Sequence, residues 1–214
     1  MRIDRIGERR VLFAMATTHE YGPALRSRIV PLVTGVGPVE AGVAVAAALA
    51  ICDPLPDLVV SLGSAGSRRK PVGKVFQVSH VSWRDVDASR IGVPAGQTPF
   101  LDLAPVQRLA TPLVDWPVAT LSTGADVVGG NDYDGIDADL VDMETWAVLR
   151  ACQRFGVPLM GLRGVSDGPG ELAELGGWTE LLPLLDARLA EAVDALAPAL
   201  QRPISAGSAL GTRG

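Results

Sequence analysis

The chain has 214 residues, 48% of them hydrophobic and 20% charged, which excludes a disordered protein and points to one well-cored soluble domain. Its 24 glycines and 16 prolines demand many tight turns without reaching the compositions of collagen-like or low-complexity chains. A formal net charge of −5 argues against nucleic acid as a partner; the only dense basic runs, Arg5-Ile6-Gly7-Glu8-Arg9-Arg10 and Ser67-Arg68-Arg69-Lys70, read as a solvated terminus and an exposed turn.

Apolar runs of strand length are predicted at residues 11–15 and 29–34, followed by a helix over 39–52. The longest uniformly apolar stretch, 41–52, falls well short of the ~20 residues that cross a bilayer. No small-residue cleavage site follows an apolar N-terminal run, so the expectation is a cytoplasmic protein with no membrane partner. Strands over 58–62, 75–83 and 118–122 then succeed one another with no obvious long helix between them. A helix over 143–155 precedes a strand over 158–165 that is apolar apart from Arg163. In the stretch 171–200, Leu181, Leu184, Leu185, Leu189, Val193 and Leu196 fall mostly three or four apart, predicting a long amphipathic helix that Pro183 starts or kinks. This imperfect alternation predicts an α/β fold: a single domain over 1–200 with a central mixed β-sheet flanked by helices, and a flexible C-terminal tail over 201–214.

Two cysteines, Cys52 and Cys152, read as core residues, and with only His19 and His80 besides there is no metal-ligand spacing. Neither a metal nor a cofactor is expected. In open α/β sheets ligands bind beyond the carboxyl ends of strands, so the residues after each strand are the first place to search. They are Thr34-Gly35-Val36-Gly37-Pro38, Gly63-Ser64-Ala65-Gly66, Thr123-Gly124-Ala125-Asp126 and Ser166-Asp167-Gly168. Small residues there let backbone N–H groups approach a ligand, and Pro38 suits the first turn of a helix. The Thr34–Gly37 turn is no dinucleotide fingerprint, because the sixth residue from Gly35 is Glu40, and no Walker lysine follows it.

In order and spacing, these pieces resemble the nucleoside phosphorylase and nucleosidase superfamily, and within it the 5′-methylthioadenosine/S-adenosylhomocysteine nucleosidases. The resemblance covers roughly residues 10–200. It rests on Ala14-Met15, Thr34-Gly35-Val36-Gly37 with its Ala-rich helix, Gly63-Ser64-Ala65-Gly66, Ser122-Thr123-Gly124, Val141-Asp142-Met143-Glu144 opening a helix, and Val165-Ser166-Asp167. It implies a hydrolase that cuts the N-glycosidic bond of a 5′-substituted adenosine with water, releasing adenine, and works as a homodimer.

Breaking that bond pushes electrons onto the purine and positive charge onto the sugar, so an acid near N7 and contacts to the ribose lower the barrier. Asp167, at the end of an apolar strand, is the candidate acid, oriented by Ser166; read alone, an aspartate before Gly168 is an ordinary turn residue. The resemblance assigns Glu144 to the ribose hydroxyls and Met143 to the floor beneath them, with Asp142 beside them. Ser64, Ala65, Gly66 and Met15 line the site, and Val127 and Val128 read the adenine edge. An aromatic residue common in relatives is here Val127, which implies weaker base stacking.

The largest departure concerns the group that polarises water. The family's glutamate stands three residues past the Met of the first strand, where this chain has Thr18; Glu20 replaces it only if the loop 17–21 is differently shaped, and His19 is a lesser candidate. Phosphate-using relatives carry Arg three residues before the Gly-Ser-turn serine; Ser61 occupies that position, which favours water over phosphate, although Arg84 approaches from the fourth strand. Met15, Phe100, Trp83 and either Leu175 or Trp178 are candidates for an apolar 5′ slot. The segment 86–100 resembles the family's interface loop, with Asp85 and Asp87 as interface groups. Two alternatives stay open: a nucleosidase for another nucleoside, of the futalosine or adenosyl-hopanoid type, and a non-catalytic nucleoside-binding protein that has lost its water-activating group.

Overall fold

The computed structural model describes residues 2–168 and 179–202. Strands β1 (Asp4–Ile6) and β2 (Arg9–Met15) form an antiparallel hairpin, so the basic run 5–10 is ordered sheet edge rather than a solvated terminus, with Arg5 opposite Arg10. After the short helix α1 (Pro23–Arg26) and the two-residue strand β3 (Leu32–Val33), helix α2 (Pro38–Ala50) crosses to β4 (Leu58–Gly66), which lies parallel to β2. Strands β5 (Val75–Trp83), β6 (Val106–Arg108), β7 (Val118–Thr123) and β8 (Leu140–Asp142) follow, then helix α3 (Thr145–Phe155) and strand β9 (Leu159–Asp167). Helices α4 (Leu182–Asp194) and α5 (Leu196–Ala199) end the described chain.

The sheet is mixed, as expected, but it closes on itself. Strand β9 pairs parallel with β4 and antiparallel with β5, β5 pairs parallel with β7 and β7 with β8, and β8 returns to β4 through Gly66 and Val141. Side chains alternate across the strands. Leu12, Ala14, Val59 and Val165 face α2 and α3, whereas Val11, Phe13, Met15, Val60, Leu62, Met160 and Leu162 face the layer that contains α4. Both faces are covered, which is why these strands read as continuous apolar runs.

Several boundaries move for identifiable reasons. The strand expected over 29–34 shrinks because the Ile29 N–H bonds Leu25 O and the Val30 N–H bonds Asp4 Oδ2, leaving only Leu32 and Val33 to pair with β2. Conversely, β4 and β9 run past their apolar segments to Gly66 and Asp167, because their ladder continues through a bulge at Ala65/Gly66. Gly63–Gly66 is therefore strand, not a turn. The three-residue strands β1, β6 and β8 are too short to show a period. Helix α3 begins two residues later than expected, so Val141 and Asp142 end a strand while Met143 and Glu144 form the turn. Pro183 starts α4 rather than kinking it; residues 171–178 of the expected long helix, and the tail from 203 onward, lie outside the described residues. Cys152 is buried and Cys52 half-buried. The 67–70 turn is pinned by ion pairs from Arg68, Arg69 and Lys70 to Asp134, Asp137 and Asp139.

The β9–β5 pairing depends on close approach at Gly161, where a Cβ would lie 2.9 Å from Val78 Cγ2 and 3.0 Å from Val78 Cβ. Gly161→Ala is expected to destabilise the fold by about 1–3 kcal/mol, seen as a lower urea midpoint at unchanged slope.

Candidate active site

A cavity of about 700 Å³ opens at the carboxyl ends of β2, β4 and β9, and Glu20, Glu144 and Asp167 all line it. The two glutamates and the aspartate come from three separate parts of the chain. Asp167 is the last residue of β9, and its Oδ1 accepts a 2.6 Å hydrogen bond from Ser166 Oγ. Burial pushes its carboxyl above the usual range, opposed by the hydroxyls of Ser166 and Tyr133. The buried Tyr133 hydroxyl lies beside it: a Cβ on Gly66 would stand 2.5 Å from Tyr133 Oη and 2.7 Å from Asp167 Oδ2, so only glycine leaves room for both. Sequence reasoning missed Tyr133 because it sits in a short 3-10 helix, Gly130–Gly135, with no motif around it.

Glu144 is presented by the turn between β8 and α3. Its Oε1 accepts the Gly37 N–H at 2.9 Å, across the mouth of the cavity. Gly35 and Gly37 take φ of 90° and 96°, a left-handed backbone that explains both glycines in the Thr34–Gly37 turn. Burial and then the nearby Asp142 charge push the Glu144 carboxyl up to about 7, against the pull of the Gly37 N–H. Met143 lines the cavity beside it.

Beneath Glu144, both carboxylate oxygens of Asp142 are engaged. Its Oδ1 takes the Thr123 hydroxyl at 2.6 Å, and its Oδ2 takes the Thr145 N–H at 3.0 Å and hydroxyl at 2.5 Å and Arg163 Nη2 at 2.9 Å. Burial alone would raise the Asp142 carboxyl, but Arg163 and the two threonine hydroxyls outweigh it and hold it below the usual range. Asp142 lines the cavity with its carboxylate held by Thr123, Thr145 and Arg163. Arg163, the one charge in an apolar strand, also donates to Ser61 Oγ at 2.9 Å and Thr145 Oγ1 at 2.7 Å. The sequence signalled it as an oddity without revealing its partners.

Loop 17–21 turns Glu20, not Thr18, toward the cavity. Residues Thr18–Glu20 form one 3-10 turn capped by the Thr17 hydroxyl, and three residues per turn put Thr17 and Glu20 on one side. Both line the cavity, while Thr18 is exposed to solvent. Glu20 is only 7% exposed; its Oε1 accepts the Ser64 N–H at 2.6 Å, and its Oε2 stands where a Cβ on Gly63 would come within 3.0 Å. His19 lies at the exposed rim with Nδ1 2.8 Å from Thr17 Oγ1. Met15, Ser64, Ala65, Gly66, Ser166, Val127 and Val128 also line the cavity. Val128 is buried and Val127 is 67% exposed.

The 5′-slot candidates fare differently. Met15 lines the cavity, but Phe100 is fully exposed and Trp83 stacks on Trp146 under α3. Leu175 and Trp178 lie outside the described residues. Arg84 does reach the cavity, where Nη1 donates to Ser122 O and Asp142 O and Nη2 to Asp126 O. Asp85 and Asp87 accept backbone N–H groups of Ala125 and Ser89 within the same chain. Among the described residues no cluster of His, Cys, Asp or Glu could hold a metal ion, and no helix is long and apolar enough to cross a membrane.

The model of the phosphorylase superfamily matches residues 15–198. A 5′-methylthioadenosine/S-adenosylhomocysteine nucleosidase of an Exiguobacterium species is 30% identical over 90% of this chain and 90% of its own length. The chain belongs to this nucleosidase family of the phosphorylase superfamily. The Haemophilus influenzae nucleosidase is 29% identical over 73% of this chain and 75% of its own. Among solved structures, the Colwellia psychrerythraea nucleosidase in complex with adenine has a TM-score of 0.77 at 19% identity, covering 94% of this chain and 98% of its own. That of Neisseria meningitidis in complex with methylthio-immucillin-A has 0.74 at 21%, covering 88% and 98%. The fold is that of the nucleosidases.

The raised Glu144 carboxyl couples family chemistry to stability. The folded state holds this proton more tightly than the unfolded chain, so stability is greatest below pH ~4.5 at this site and declines as pH rises through about 7. Glu144→Gln keeps the acceptor for Gly37 and removes the ionisation. The difference in Tm between Glu144→Gln and wild type should therefore move in favour of the variant between pH 5 and pH 8.

Proposed function

We propose that this chain hydrolyses the N-glycosidic bond of 5′-methylthioadenosine, S-adenosylhomocysteine or a related 5′-substituted adenosine, with Asp167 and Glu20 as its catalytic groups. The observation that carries the reading is the convergence of Asp167, Glu144 and Glu20 on one cavity of nucleoside size. Asp167, its carboxyl raised by burial, donates a proton to purine N7 as the N9–C1′ bond breaks and its electron pair moves into the base. Glu144 accepts from the ribose hydroxyls, with Met143 below, and in its ionised form favours the developing oxocarbenium ion. Water adds to C1′ and gives a proton to Glu20, leaving adenine and a 5-substituted ribose.

Water rather than phosphate is the nucleophile in this reading, because both guanidinium groups that line the cavity among the described residues are engaged. Arg163 is neutralised by Asp142, and Arg84 is spent on backbone carbonyls. Glu20, turned into the cavity, supports a catalytic protein over a binding-only one. Incubation with methylthioadenosine, S-adenosylhomocysteine or adenosine should release adenine at a rate independent of phosphate. Asp167→Asn should slow release by about 10²-fold or more at unchanged fold, and an unaffected rate would remove Asp167 from its role.

The reading includes a homodimer. Helix α2 turns its buried face to α3 and exposes Val39 (71%) and Val43 (64%) in a stripe that continues from the cavity-lining Val36. A second copy covering this stripe would stand beside the mouth of the site. Sedimentation should give twice the 22.3 kDa chain mass for the wild type and a monomer for Val39→Glu/Val43→Glu.

A further inference from the structure

Glu20 reaches the cavity from a position two residues later than the family spacing, and something must set where its longer loop ends. Directly after it the chain enters α1, a helix of four residues with no stability of its own. There a second carboxylate, from the opposite end of the sequence, takes up the backbone. Asp186 of α4 accepts from Gly22 N at 3.1 Å and Leu25 N at 3.0 Å through Oδ1, and from Ala24 N at 2.8 Å through Oδ2. Pro23, between them, has no N–H to satisfy.

This grip is tight and specific. Asp186 is 5% exposed, and a Cβ on Gly22 would lie 2.5 Å from both its Cγ and Oδ2, so only glycine lets the backbone come this close. On the near side, Ser64 N holds the Glu20 carboxylate, and the Tyr21 hydroxyl ties the loop to Ile29 O at 2.5 Å. Met15 and Ala16 are fixed to Thr34 and Gly35 by backbone hydrogen bonds. The segment bearing Glu20 is thus anchored before it by Thr34 and Gly35 and directly after it by Asp186, which takes the amides of Gly22, Ala24 and Leu25. The reaction above makes no use of Asp186.

We infer that Asp186 is a positioning residue for Glu20: by holding the amides of residues 22–25 it sets where the displaced glutamate stands against the attacking water. This rests on the role given to Glu20 above. A carboxylate misplaced by about 1 Å loses much of its catalytic effect even when the substrate still binds.

The test measures adenine release from methylthioadenosine by Glu20→Gln, Asp186→Ala, Asp186→Asn and Glu20→Gln/Asp186→Ala, with adenine affinity and urea stability recorded for each. Asp186→Ala is expected to lower kcat about tenfold or more, with KM and adenine affinity shifted less than about threefold. In the Glu20→Gln background the same change should cost less than about twofold, because the group it positions is already gone. Asp186→Asn keeps an acceptor for Gly22 and Leu25 and loses the one for Ala24, so it should fall between, and it carries the comparison if the alanine variant does not fold. An equal loss in both backgrounds, or full activity of Asp186→Ala beside an inactive Glu20→Gln, overturns the inference and leaves the nucleosidase reading standing. Full activity of Glu20→Gln overturns the role of Glu20 and this inference with it.

Discussion

The buried ion pair of Arg163 and Asp142 is the joint on which the site is built. Arg163 rises from β9 and Asp142 from the end of β8, and between them they engage Ser61 of β4, Thr123 of β7 and Thr145 at the start of α3. A guanidinium and a carboxylate buried this deeply are tolerable only because nearly every donor and acceptor is satisfied. The pair ties together the strands that close the sheet, and it decides the angle at which Met143 and Glu144 emerge above it.

The same pair helps to set the carboxyl groups apart: it holds Asp142 down and contributes to raising Glu144. Asp142 spends its charge on Arg163 and stays ionised, and its negative charge together with burial then raises Glu144. Asp167 is raised by burial, opposed by the Ser166 and Tyr133 hydroxyls, and among the described residues no ion pair pulls it down. Carboxylates on neighbouring strands thus acquire unlike properties from their surroundings, which is the condition for dividing acid and binding roles between them.

Small residues at the strand ends are the counterpart of this charge. Gly63 and Gly66 leave room for Glu20 and for Asp167 with Tyr133, and Gly22 leaves room for Asp186. Each glycine sits where a carboxylate or hydroxyl approaches the backbone too closely for a Cβ. The glycine-rich motifs therefore do more than reverse the chain: they admit the polar groups that line or support the cavity.

Periodicity and composition alone determined the α/β class, the mixed sheet and the main helices, because buried strands and amphipathic faces write their burial into consecutive residues. The family resemblance, carried by motifs at strand ends and helix starts, singled out Asp167, Glu144 and Met143. What the tertiary structure decided was every relationship between distant residues. The closure of the sheet, the partners of Arg163, Tyr133 beside Asp167 and the turning of Glu20 rather than Thr18 into the cavity all depend on contacts between residues distant in the chain, such as Arg163 with Ser61, 102 positions away, and Glu20 with Ser64, 44 positions away. Asp186 is the clearest case: in sequence it is one polar residue on an amphipathic helix, and only the folded chain sets it against the amides that follow Glu20.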